Sequence, residues 1–210
     1  MCQLKSNEAE YNRAGQVSGL LKNMFGPWSQ TIGGRHLKAR LMRPLMKIVQ
    51  SDTRHAPGER CPADGDLKHL EGFEFNETQQ PKALSDVRCS LLRSPKSDQV
   101  LVKTDAFVAD VFLTPELRRA THFKVALLVA AIPAVPWGRK KLFKQDTGSI
   151  LVGQRAIPSL QALVDLVINE AGMLYCAALA VSFFRFSGSR SRPLNNGRQD
   201  QLRVLKVFSA

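Results

Sequence analysis

The side chains best suited to chemistry lie between Cys61 and Glu74. There, Cys61, Asp64, Asp66, His69, Glu71 and Glu74 bring a thiol, an imidazole and four carboxylates into a short span. A hard cation needs several oxygens converging on one point, and zinc needs Cys or His at tight intervals. Asp64-Gly65-Asp66 is too short for a calcium loop, and the interval from Cys61 to His69 matches no zinc spacing. These residues read as an acidic solvated loop, with no metal expected. A nucleophile–base pair could be assembled from Cys89 or Ser90 with His122, but neither a nucleophile elbow nor an oxyanion loop accompanies them. Gly33-Gly34-Arg35 and Gly138-Arg139-Lys140-Lys141 lack the frame that cradles phosphates. No catalytic residue, cofactor or metal is expected, and an enzyme ranks last among the roles.

Positive charge is the stronger lead. The 210 residues carry a net charge of +12, with 30 Lys and Arg against 18 Asp and Glu. Such an excess favours polyanionic partners: nucleic acid, an anionic surface or an acidic protein. It is concentrated at both ends of the chain, which flank an acidic middle third. The candidate polyanion-binding residues are Arg35, Lys38, Arg40, Arg43 and Lys47 along one helical stretch, and the run Arg139, Lys140 and Lys141. Lys144 extends that run, and Arg190 and Arg192 sit in what reads as a flexible loop. Few aromatic residues that could stack on bases lie close by: Trp28, Trp137 and Phe143. No helix-turn-helix or zinc-finger pattern is present.

The elements that carry these residues follow from periodicity. Val17, Leu20, Leu21 and Met24 recur at helical spacing until Gly26-Pro27. From His36 to Gln50, Leu37, Leu41, Leu45, Ile48 and Val49 form an apolar stripe, with Pro44 expected to kink or split the helix. Residues 51–82 are rich in turn formers, with one short strand expected at Leu70–Phe75. Beyond Pro81 the period shifts towards two. Strands are expected around Val87–Leu92, Gln99–Lys103, His122–Ala131, Thr147–Val152 and Gln201–Phe208, with a turn at Asn195-Asn196-Gly197. Leu160–Phe184 fits a helix face or a β-hairpin broken at Asn169-Glu170-Ala171-Gly172; the neighbouring strands favour the hairpin.

Val125–Trp137 is too short and proline-rich for a membrane span, which needs roughly 20 apolar residues. Leu166–Phe184 carries Asn169 and Glu170, and an acid inside a bilayer is costly. Membrane association therefore ranks low. Cys2, Cys61, Cys89 and Cys176 are scattered, and the N-terminus shows no apolar signal region, so a soluble cytoplasmic protein is expected. The sequon Asn76-Glu77-Thr78 is then a chance match.

Several segments resemble, in order, a group of uncharacterised bacterial proteins of the Bacteroidota: Phe25-Gly-Pro-Trp, Ser51-Asp-Thr-Arg-His, Leu70-Glu-Gly-Phe-Glu-Phe-Asn, Ala120-Thr-His-Phe-Lys, and Phe183-Phe followed by Pro193-Leu-Asn-Asn-Gly. The resemblance implies a basic helical lead-in and a β-sandwich body, with Met173–Phe186 a strand, and it brings no activity. The arginines of Ser187-Gly-Ser-Arg-Ser-Arg depart from the group's pattern. The expectation is a basic helical and loop segment over residues 1–69, followed by a mostly β, antiparallel sandwich-like domain over 70–210. Its role is expected to be non-enzymatic, structural or protein-interacting, with a protein partner or self-association; the N-terminal helix would dock that partner through its apolar stripe. The alternative is a basic protein associated non-specifically with nucleic acid.

Overall fold

A computed structural model describes residues 2–26, 28, 34–76, 86–94, 97–108, 117, 119–134, 138–153, 156–166, 172–188, 190–197 and 200–209. Among these residues two helices, α1 (Cys2–Met24) and α2 (Leu37–Ser51), precede eleven strands: β1 (Cys89–Arg93), β2 (Gln99–Thr104), β3 (Phe107–Val108), β4 (His122–Pro133), β5 (Lys141–Asp146), β6 (Ile150–Leu151), β7 (Ala156–Ile157), β8 (Gln161–Asp165), β9 (Met173–Ser187), β10 (Arg190–Pro193) and β11 (Gln201–Ser209). Every pairing is antiparallel. The chain is mostly β, as the turn spacing and period-two segments predict.

The strands form three layers with the helices. In the large sheet β9 lies at the centre, with β4 on one side and β11 and β10 on the other, while β5 and β6 pair with the far edge of β4. The second sheet runs β1-β2-β8, and β3 pairs with β7. One face of the large sheet bears Ala126, Leu128, Ala130 and Ile132 of β4 and Leu174, Cys176, Ala178 and Ala180 of β9, and packs on the helices. The opposite face bears Val125, Leu127, Val129, Tyr175, Leu179, Val181 and Phe183 and packs on Val100, Val102, Ala162 and Val164 of the second sheet. Fully burying each such large aliphatic or aromatic side chain contributes about 1.5–3 kcal/mol. Register sets Ala126 beside Ala180 and Leu128 beside Ala178, so the helix-facing surface is low. Helices can therefore approach closely.

Burial on both faces explains why β4 and β9 show little polar alternation. A strand covered on both sides has no reason to alternate, so its apolar run imitates a helix. Leu160–Phe184 does supply strand β8 and most of β9, and the expected strand Met173–Phe186 lies within β9. They do not form a hairpin, however. β8 pairs with β2 in one sheet, and β9 pairs with β4 in the other. Asn169-Glu170-Ala171 of the expected turn lies outside the described residues.

Other expectations change in detail. Residues 2–24 form one continuous helix, whose buried face is Glu10, Ala14, Val17, Ser18, Leu21 and then Phe25 just beyond it. α2 is not split at Pro44, because Leu37, Leu41, Leu45, Ile48 and Val49 are all buried and hold the helix down on both sides of the proline. The expected strand at Leu70–Phe75 is a 3-10 turn (Leu67–Leu70) followed by one bridge, Glu74 to Arg203. Its backbone still covers the open edge of β11, through Gly72 N–H to Val204 O, Val204 N–H to Phe73 O and Phe75 N–H to Leu202 O. Thr147–Val152 contracts to β6, because Thr147 turns its hydroxyl onto the Val125 amide. Arg190 and Arg192 lie in β10, paired with Ser187 and Arg185, and not in a loose loop. The turn at Asn196-Gly197 has φ of 55° and 78°, left-handed values that Asn and Gly tolerate best.

Candidate functional site

The basic residues divide into three groups. Arg35, Lys38, Arg43 and Lys47 lie on the outer side of α2 or just before it, and all four are exposed. None has an ion-pair partner among the described residues, and α2 itself contains no acid. Arg40 is different. Its guanidinium donates to Phe75 O at 3.0 Å and to Glu74 O, with its Cζ 5.3 Å from the centre of the Phe73 ring. It clamps α2 to the segment covering β11, so its charge is committed within the fold.

The third group sits elsewhere. Arg139 and Lys140 are exposed ahead of β5. Lys141 pairs with Asp165 of β8 at 3.1 Å and lies 4.5 Å from the centre of the Phe143 ring. That places its side chain on the second-sheet side, while α2 covers the other side of the large sheet. The aromatic residues that might have met bases are covered by the protein's own cations, Phe143 by Lys141 and Trp28 by Lys144 at 5.5 Å. Trp137 lies outside the described residues.

Two grooves flank α2. One, of about 900 Å³, runs between the helices and is lined by Tyr11, Gly15, Gly19, Leu20, Arg35, Lys38 and Met42, among others. Nothing lies within 4 Å of where a Cβ on Gly19 would be, so the floor is open. Tyr11 is 57 % exposed at its rim. The second, of about 600 Å³, is lined by Arg40, Arg43, Lys47, His69, Glu71 and Phe73. Its one carboxylate, Glu71, is already paired with Lys206 at 3.0 Å. α1 is fixed against this region by Glu10, which accepts from the Gly58 amide at 2.7 Å, and by Arg13, which donates to Gly58 O and Arg60 O at 2.8 Å.

The chemistry-bearing side chains of the loop separate. Asp66 caps the 3-10 turn through the Lys68 amide, Glu71 pairs with Lys206, and Glu74 pairs with Arg203 at 2.8 Å. Burial pushes the Glu74 carboxyl and the Cys61 thiol above their ordinary values. Asp64 groups instead with Asp52 and His55, close enough to surround an ion. Yet Asp52 already accepts from the amides of Arg54, His55 and Cys61 at 2.9, 3.3 and 3.1 Å, and its other contact is His55 Nδ1 at 2.8 Å. Burial opposes ionisation of Asp52, but these hydrogen bonds, His55 first, hold its pKa down to about 2. That arrangement describes an anchored loop. Cys89 faces the core on the second-sheet side, its thiol pushed up to about 11 by burial. His122 is on the helix side of β4, in contact with Thr121 Oγ1 at 3.0 Å and Phe186, so the two do not form a dyad. The Cys176 thiol is fully buried and raised further still.

Two of the segments quoted above, Ser51–His55 and Leu70–Asn76, fall at joints of the fold. Asp52 organises the end of α2, Glu74 meets Arg203, and the Asn76 side chain donates to Asp200 O at 2.9 Å. Sequence reasoning missed Tyr11, Gly15 and Gly19, whose grouping depends on which face α1 buries. It also missed Lys124, although a lone lysine inside an apolar strand was a legible signal.

Comparison with known proteins adds no parallel: no family model, curated protein or solved structure matches the chain. Among the described residues no helix is long and apolar enough to cross a membrane.

Proposed function

We propose that the protein is a non-enzymatic interaction module that docks an acidic protein segment along the outer face of α2 and the groove between α1 and α2. The observation that carries this reading is four exposed cations on the two flanks of α2, Arg35 and Lys38 lining the groove rimmed by Tyr11 and Arg43 and Lys47 lining the second groove, none with an ion-pair partner among the described residues. Exposed cations steer an acidic partner, and an exposed tyrosine beside a pocket is a typical binding anchor. The apolar stripe of α2, expected to do the docking, is consumed by the protein's own sheet. The basic face of the helix takes that role instead. Membership of the Bacteroidota group and a cytoplasmic setting belong to the same proposal.

A protein segment is favoured over nucleic acid because the positive residues divide between opposite sides of the large sheet, and Phe143 and Trp28 are each met by one of the protein's own lysines. The test is retention of poly-L-glutamate and of a 20-base-pair DNA duplex at about 50 mM salt, with Arg43→Glu/Lys47→Glu as the variant. Poly-L-glutamate should bind wild type and lose at least tenfold in affinity with the variant, while the duplex binds more weakly. Tighter duplex binding that falls steeply with salt would replace this reading with the nucleic-acid one. Failure to bind either probe would remove both.

A further inference from the structure

The helical layer does not cover the whole of its sheet face, and the residues change character where it stops. Along β4 the helix-facing positions run Ile132, Ala130, Leu128, Ala126 and then Lys124; along β9 they run Leu174, Cys176, Ala178, Ala180 and then Ser182 and Phe184. Lys124 and Ser182 are register partners, so both strands turn polar at the same level. Trp28, just past the end of α1, leans over this point and donates its indole N–H to Ser182 Oγ at 2.9 Å. The result is a hollow of about 310 Å³ floored by Lys124, Ser182 and Phe184, with Trp28, Lys144, Pro193 and the Asn196-Gly197 turn as walls. Asp200 closes its inner end.

We infer that this hollow is a binding site for a small planar anion, an aromatic ring carrying one carboxylate or phosphate group. Three features select that class. The apolar walls include Phe184 and Pro193, flat surfaces suited to a ring, and Trp28, which carries Lys144 over its indole at 5.5 Å. Lys124 and Lys144 share one directly paired counter-ion, Asp146, at 2.9 and 3.1 Å, so two cations face the mouth against a single contacting carboxylate. The other carboxylate is turned inward: Asp200 accepts from the Phe183 amide at 3.0 Å and from Ser182, and neither lysine touches it. The anionic end of a ligand would thus meet the lysine pair while its ring lies against Phe184 and Pro193 beside Trp28. The size matches the smaller end of ordinary ligand pockets. This site is separate from the α2 face, and the two can fail independently.

The chain has two tryptophans, so a Trp137→Phe background makes Trp28 the sole indole reporter. Phenyl phosphate titrated into that protein should change Trp28 fluorescence saturably, with affinity at least tenfold above that of inorganic phosphate or phenol alone. Benzoate, run in parallel, separates a general anion site from a phosphate-specific one; binding of either aromatic anion supports the inference. Lys144→Gln, which keeps the Lys124–Asp146 pair and so the fold, should weaken binding at least fivefold. The α2 variant Arg43→Glu/Lys47→Glu should leave it unchanged. Absence of saturable change with both aromatic anions, equal affinity for inorganic phosphate, or indifference to Lys144→Gln in a folded protein would overturn it.

Discussion

Replacing Asp52 by alanine probes the joint between the helical layer and the loop that follows it. Its carboxylate accepts three backbone amides, from Arg54, His55 and Cys61, and contacts the His55 ring. A hydrogen bond to a charged acceptor contributes about 1.5–3 kcal/mol when buried. Arg54 and His55 are exposed, so water can replace the lost acceptor there and their share falls towards the low end. Cys61 is half-buried and its amide has less recourse to water. The total loss is about 3 kcal/mol, which for a chain of this size lowers Tm by roughly 6–12 °C. Asp52→Asn keeps the shape but not the charge, so its loss is about half as large. The pH dependence adds a second arm. The folded pKa lies near 2, below the ordinary 3.8, so the charge stabilises above about pH 4 and that benefit disappears as pH falls through 2. Wild type and Asp52→Asn should therefore converge between pH 4 and 2 in thermal melts followed by circular dichroism. A drop of less than about 2 °C for Asp52→Ala at pH 7 would refute the claim that this carboxylate organises the loop.

Two further outcomes follow from other contacts. Asp200 is held up at about pH 6 by burial, against the hydrogen bonds from Phe183 and Ser182, so the folded state binds its proton more tightly than the unfolded chain. This contribution to stability is greatest below about pH 4 and is lost as pH rises through 6; Asp200→Asn should gain about 1–2 kcal/mol relative to wild type at pH 8 and nothing at pH 4, read by urea melts at the two values. A Cβ at Gly65 would sit 1.9 Å from Ile48 O, whereas one at Gly19 would meet nothing within 4 Å. Gly65→Ala should cost several kcal/mol, about 3 or more, while Gly19→Ala should raise stability by about 0.5–1 kcal/mol, and equal Tm values for the two would contradict the packing described here.

The chain's residues alone determined the class of the protein. Alternation and turn formers after Pro81 required an antiparallel β body, because only extended chain buries every second residue, and two stretches of apolar residues at helical spacing, the second of them basic, required helices in front of it. Pairing partners were another matter. β8 and β9 are neighbours in sequence and strangers in space, since an apolar strand carries no mark of which sheet will cover it. The basic residues show the same division. Their excess was legible as charge, but whether a given cation faces water, a carbonyl or a carboxylate depends on what the fold brings opposite it: Glu74 and Phe75 for Arg40, Asp165 for Lys141, and, among the described residues, no ion-pair partner for Arg43 and Lys47. The hollow under Trp28 was beyond any linear reading. Its members come from the end of a helix, four strands and a turn, and only tertiary packing sets them around one volume.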